Sequence, residues 1–214
     1  MAATRTRELR LAPRKAAKQE RAQLTVEAIL EAASQVFESR GYARATTNRI
    51  AERAGISIGS LYQYFPNKDA ILVALAQRHL AEGMAVMWPQ VQRLSGEESW
   101  EEVLPGIVEA MVQMHAVAPM LHRCLFEETR LPKAVRDELE SLENALIEIT
   151  ATAIAADPLI ARADVELAAA IVVNTIEGLT HRLVLRPQAG VDQERVAHEI
   201  TTLVRAYLRA GRDS

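Results

Sequence analysis

The chain has 214 residues, 49% of them apolar and 25% charged. That length and balance permit a substantial buried core and exclude disordered and collagen-like classes. Its one cysteine, Cys124, rules out an intramolecular disulfide and fits a reducing compartment. The net charge of −3 hides an asymmetry: residues 1–68 hold 12 Lys/Arg against 6 Asp/Glu, and residues 69–214 hold 13 against 22. A basic end on an acidic body points to a polyanion met by the first part alone, or to a solvated basic tail. No signal-peptide pattern opens the chain and no run of about 18 apolar residues is present, so a cytoplasmic protein with no membrane partner is expected.

The pattern reads as helix almost throughout, so the expected fold class is all-α. Residues 1–20 read as a flexible basic arm. A first helix is predicted over 21–40, with Ile29, Ala33, Val36 and Phe37 on one face and Gly41 as its terminator. Two short helices follow, over 47–54 and 58–64. Pro66 breaks the chain, and Asn67 can cap a long helix reaching toward Trp88. Further helices are predicted over 98–117, 119–129, 132–156, 164–186 and 192–210, bounded by Pro119, Pro132, Pro158 and the stretch 187–190. Pro105 implies a kink or a later start in the first of these. The domains expected are therefore the arm at 1–20, a three-helix unit at 21–68 and a helical body at 69–214, with the long helix shared between the last two.

The stretch from Thr46 to Phe65 has helix-turn-helix mechanics. The Thr46-Thr47 pair offers an N-cap, and Ile50, Ala51 and Ala54 give a small inner face. Gly55 supplies a left-handed residue, Ile56 plugs the turn, and Ser57 caps the second helix. That helix presents Ile58, Gly59, Ser60 and Gln63 outward while Leu61 and Phe65 hold it to the core. Small residues at its start permit close approach to base edges in the major groove. Tyr62 and Tyr64 cannot share a face, so one of them at least is turned to solvent, where a phenol can bond a phosphate. Lys68 stands in the first turn of a helix, where the dipole disfavours a cation by roughly 0.3–1 kcal/mol. That misplacement suggests a phosphate partner or a lysine with no role.

From about Leu24 to Leu75 the chain resembles the N-terminal domain of the TetR/AcrR family of regulators. The matching pieces are Ala28-Ile29-Leu30-Glu31-Ala32-Ala33, Phe37, Gly41-Tyr42, Thr46-Thr47, Ile50 to Ser57, Gly59, Leu61-Tyr62, Tyr64-Phe65 and Asn67-Lys68. Asn48 and Pro66 depart from the commonest pattern. The resemblance implies a homodimeric, non-enzymatic transcriptional regulator without a cofactor, a repressor released from a palindromic double-stranded DNA operator by a small-molecule effector. It also implies that Thr47, Tyr62, Tyr64 and Lys68 hold phosphates and that Ser57, Ile58, Gly59, Ser60 and Gln63 lie nearest the bases. The basic arm would add backbone or minor-groove contacts.

The body carries no comparable motif. Soft and polar residues on otherwise apolar helices are the candidates for an effector site: Met84, Met87 and Trp88, then Met111, Met114 and His115, then His122, Cys124 and Phe126. Plain core packing is the alternative for each. Asn174, Glu177 and His181 form a polar stripe suited to a ligand, a dimer contact or a structural network. Glu177 and His181 are four apart, yet no further ligand falls in register, so no metal is expected. Leu167, Ile171, Gly178 and Arg182 on the penultimate helix, with Val196, Ile200, Leu203, Val204 and Tyr207 on the last, are the expected dimer faces, or else pack within one protomer. No nucleophile elbow, phosphate loop or paired carboxylate motif supports an enzyme. An interaction module without an effector is the other alternative.

Overall fold

The computed structural model describes residues 14–94, 98–117, 119–127, 131–160, 162–187 and 189–210. Among these there are nine helices and no strand: α1 Arg14–Arg44, α2 Thr47–Arg53, α3 Ile58–Tyr64, α4 Lys68–Leu94, α5 Trp100–Ala116, α6 Pro119–Phe126, α7 Lys133–Ala156, α8 Val165–Leu185 and α9 Gln193–Arg209. α1 breaks at Gly41, which takes φ 70° and so turns the chain where an L side chain would be strained. The basic arm is shorter than expected. Helix begins at Arg14 rather than near Arg21, and the rest of the arm, residues 1–13, lies outside the described residues.

Two elements carry a proline inside the helix. α4 continues through Pro89 to Leu94, because the Met87, Val91 and Leu94 face stays buried beyond the proline. α5 starts at Trp100 behind a reciprocal cap, in which the Glu102 carboxylate accepts from the Ser99 backbone N–H at 3.0 Å, so Pro105 falls inside it.

The main apolar core of the N-terminal end does not close within residues 21–68. Ile29, Ala33 and Phe37 of α1, Ile50 of α2, Leu61 of α3 and Ile71 of α4 share it with Leu121, Cys124 and Leu125 of α6. The backbone N–H of Leu121 also donates to the Glu38 carboxylate at 2.6 Å, which satisfies one open donor at the start of α6. α6 thus seats the three-helix head on the body. A second core joins α5, α8 and α9 through Val103, Val108, Val172, Ile176, Ile200 and Val204.

By length and composition α4 and α8 would each suffice to cross a bilayer, with a mean hydropathy of 1.2 over their most apolar window. Both instead lie in the bundle, α4 against α5 and α7, and α8 against α5, α7 and α9. Only a third of each window is buried within the chain.

Candidate functional site

Local hydrogen bonds set the helix-turn-helix. The Thr46 hydroxyl accepts from the Arg49 N–H at 3.3 Å and caps α2; the Ser57 hydroxyl accepts from the Ser60 N–H at 3.0 Å and caps α3. Gly55 joins the two helices at φ 69°. Ile50, Ala51, Leu61 and Phe65 turn into the core, which leaves Ile58, Tyr62, Gln63 and Tyr64 exposed. Because Thr46 is the cap, Thr47 is available on the surface, with its hydroxyl 3.1 Å from that of Tyr62. Ser57 Oγ and Ser60 Oγ lie 2.8 Å apart. A methyl group at Gly59 would meet nothing nearer than Ser57 Oγ at 3.8 Å, so the fold itself makes no demand for glycine there.

Asn67 caps α4 by accepting from the Ala70 N–H at 2.8 Å. Lys68, one residue on, donates from Nζ to the Tyr42 carbonyl at 2.8 Å and stands 3.8 Å over the Tyr42 ring. These contacts offset the unfavourable dipole and account for a lysine in that turn without a phosphate. Tyr42 in turn donates its phenol proton to Asp69. Burial, and then the hydrogen bond and charge of Asp69, push that phenol up to about 12. The end of α1 is tied to the start of α4 by this pair of contacts.

Behind the head lies a cavity of about 310 Å³. α4, α5, α6, α7 and α8 wall it. Its apolar side carries Met84, Met87, Met111 and Met114 with Leu142 and Leu146. Its polar side carries His79, His115, His122 and His181. Gly83 lets Met114 pass close to α4: a side chain there would collide with the Met114 sulfur. Burial pushes the His115 imidazole down to about 4, with the neighbouring histidines adding to this, and pushes His122 down to about 2. Both rings are therefore neutral near pH 7.

The model for bacterial regulatory proteins of the tetR family matches residues 29–75, and that for the tetracyclin repressor-like C-terminal domain matches residues 99–208. Together they span well over half of the chain. The chain belongs to the TetR family.

A stretch of 52 residues of this TetR-family protein is 48% identical to the HTH-type transcriptional activator FasR of Mycolicibacterium smegmatis, a match that covers 24% of each chain. The chain thus spans about a quarter of that relative's length. A longer match, 24% identical over 162 residues, joins it to the fatty acid metabolism regulator protein of Bacillus subtilis and covers 75% of this chain and 84% of that one. Among solved structures, a transcriptional regulator FadR from Bacillus subtilis in complex with stearoyl-CoA has the same fold, with a TM-score of 0.64 at 22% identity over 83% of this chain and 96% of that one. Both relatives are named as regulators, and membership of a family of bacterial regulatory proteins makes this protein a transcriptional regulator.

The cavity gathers Met87, Met111, Met114, His115, His122, Phe126, Asn174, Glu177 and His181 in one place, as a lining. Two candidates are corrected. Trp88 is half exposed and lies outside the lining, because one position past Met87 a helix has turned about 100° to its other face. Cys124 is buried in the head's core instead, its sulfur 4.0 Å from the Phe37 carbonyl, because α6 turns Leu121, Cys124 and Leu125 to α1 and His122 and Phe126 to the cavity.

Sequence reading missed His79 and Gly83, although they precede Met87 at eight and four residues and so continue its stripe. It also missed Leu139, Leu142 and Leu146 of α7, spaced three and four apart.

The expected dimer residues divide. Leu167, Ile171, Gly178 and Arg182 of α8 and Leu203 of α9 are exposed. A methyl group at Gly178 would meet nothing within 4 Å. Val196, Ile200 and Val204 are corrected: they fill the protomer's own core against α5 and α8 and cannot meet a partner. Tyr207 is partly buried, with the Arg162 guanidinium 3.9 Å over its ring.

Proposed function

We propose that this TetR-family protein is a homodimeric repressor that binds a palindromic operator through α3 and is released by an amphipathic, acyl-type small molecule in the cavity. The observation that carries the reading is the position of α6. One side of it, His122 and Phe126, lines the cavity; the other, Leu121, Cys124 and Leu125, belongs to the core of the DNA-reading head. A ligand that displaces α6 by even a fraction of a side chain must repack the head, because close-packed cores shift between discrete arrangements. α4 offers a second route, since it starts at Lys68 beside α3 and passes the cavity at Met84 and Met87.

The exposure of Ile58, Gly59, Tyr62, Gln63 and Tyr64 supports the DNA assignment. Tyr62, Tyr64, Thr47 and Lys68 would hold phosphates around the groove, with Ser57, Ile58, Gly59, Ser60 and Gln63 nearest the bases. The dimer would form across the exposed face of α8, where Leu167 and Ile171 present apolar surface and Gly178 leaves room for a partner helix. The cavity size falls at the lower end of small-molecule sites, about 300–1,000 Å³. An apolar, methionine-rich wall opposite imidazoles suits an aliphatic chain with a polar end, and a regulator of this fold is known with stearoyl-CoA.

The test is binding of the full-length protein to the DNA flanking its own gene, followed by fluorescence anisotropy across a salt series and with acyl-CoAs of increasing chain length. Tight, salt-dependent binding by a dimer and release by one range of chain lengths are expected. Binding no tighter than to unrelated DNA rejects the operator. Indifference to every acyl-CoA rejects the ligand class, and tighter binding on addition rejects release as the sign of control. To move the population decisively the ligand must prefer one state by a few kcal/mol.

A further inference from the structure

Four of the five histidines in the chain line one wall of the cavity, and the fifth, His198, is exposed on α9. Three of the four, His115 from α5, His122 from α6 and His181 from α8, bring one ring nitrogen each within 4.8 Å of one another. We propose that His115, His122 and His181 form a binding site for a single divalent zinc-class ion, with its remaining coordination position open to the cavity.

Packing alone gives a poor account of the cluster. His115 is 2% exposed and His122 5%. Burying imidazoles where leucine or phenylalanine would fill the space costs free energy unless each polar atom is satisfied. The Nδ1 of His122 is buried with no hydrogen-bond partner among the described residues. Its ring instead faces those of His115 at a centroid distance of 4.3 Å and His181 at 5.2 Å.

The two outer histidines are held as metal ligands are. Nδ1 of His115 lies 2.9 Å from the Met111 carbonyl, to which it donates, and this puts the lone pair on Nε2. Nε2 of His181 lies 3.0 Å from Oε1 of Glu127, which leaves the lone pair on Nδ1. A backbone carbonyl behind one ligand and a carboxylate behind another are the usual outer partners that fix tautomer and raise basicity. Arg186 holds the other oxygen of Glu127 at 3.2 Å, so the carboxylate is fixed as well.

An ion about 2.0–2.1 Å from each nitrogen requires nitrogens about 3.4 Å apart. Closure from 4.8 Å or less is within the reach of side-chain torsions. Three imidazoles with one open position suit zinc, cobalt or nickel over the hard cations magnesium and calcium. Such an ion would clamp α5, α6 and α8 together at the helix that seats the head. The site stands on its own ligands and does not depend on acyl binding or on the operator.

The experiment uses untagged full-length protein, stripped with a chelator and titrated with Co²⁺ and then Zn²⁺ in the absence of DNA and effector. One Co²⁺ per chain is expected, with visible absorption bands of low-coordinate nitrogen-ligated cobalt that Zn²⁺ abolishes. Zn²⁺ should also raise the melting temperature of the wild-type protein. His122→Gln and His181→Gln should each weaken binding by about 100-fold or more, Glu127→Gln by about 10–100-fold, and His198→Gln not at all. Melting of each metal-free variant shows whether it folds; His181 is only partly buried, so its variant carries the test if the His122 variant does not fold. Absence of cobalt bands, or tight binding that survives both His122→Gln and His181→Gln, overturns the site. Because no step uses DNA or acyl-CoA, failure here and failure of the repressor reading are separate results.

Discussion

The DNA-reading head and the cavity behind it are built from the same element, the α-helix, yet they place their functional side chains in opposite ways. In the head every cap is local: Thr46 to Arg49, Ser57 to Ser60 and Asn67 to Ala70, each three residues apart. Its working side chains point outward. The cavity collects residues from His79 to His181 on five helices, points them inward, and depends on how those helices cross. The helix-turn-helix geometry can therefore be specified by a short segment, although the core beneath it is completed by α6. The cavity exists only once the bundle has closed. α6 belongs to both, and so the two regions, different in construction, share one core.

The largest effect tests that shared core. Phe37→Ala removes a fully buried ring at the junction of α1 and α6 and should cost about 3–5 kcal/mol. Calorimetry should show one transition shifted as a whole. A head that melts apart from the body would show that α6 does not join them. Next comes the contrast along α9: Ile200→Ala should cost about 2–5 kcal/mol at any protein concentration. Leu203→Ala should change protomer stability by less than about 0.5 kcal/mol and act only on the monomer–dimer balance in sedimentation. Equal effects on folding would remove the exposed face of α9 from the dimer.

Smaller effects sharpen the head. Gln63→Ala should cost about 1–3 kcal/mol at one base pair of the operator if its amide reads an adenine. Uniform weakening across sequences would assign Gln63 to the backbone. Gly59→Ala should leave the melting temperature unchanged, since the protein has room for the methyl, while operator binding weakens by about tenfold, or 1.4 kcal/mol. Unchanged affinity would mean that α3 does not approach the groove so closely. The smallest is Lys68→Ala. It should lower the slope of log affinity against log salt by about one unit. An unchanged slope would leave Lys68 with its contacts to Tyr42 alone.

Several features of this chain follow from its sequence by itself. The all-helical class, the caps from the Thr46-Thr47 pair and Ser57, the left-handed Gly55 and the outward Ile58, Gly59 and Gln63 are consequences of residues within four positions of one another. Short-range hydrogen bonds and helical period decide them, and both can be read along a line. Most of the cavity lining was also legible, since methionine and histidine interrupt apolar helices at visible positions. Tertiary structure alone decided which way each face turned. Val196, Ile200 and Val204 look the same in sequence whether they meet α5 and α8 of their own chain or a partner. Cys124 looked like a neighbour of His122 until α6 was placed between head and cavity. His115, His122 and His181 share no spacing that a metal motif would have, because their three helices meet only when the bundle closes. Long-range packing carries no periodic mark in the chain; it arises from the volume and crossing angle of whole helices, and those exist only in three dimensions.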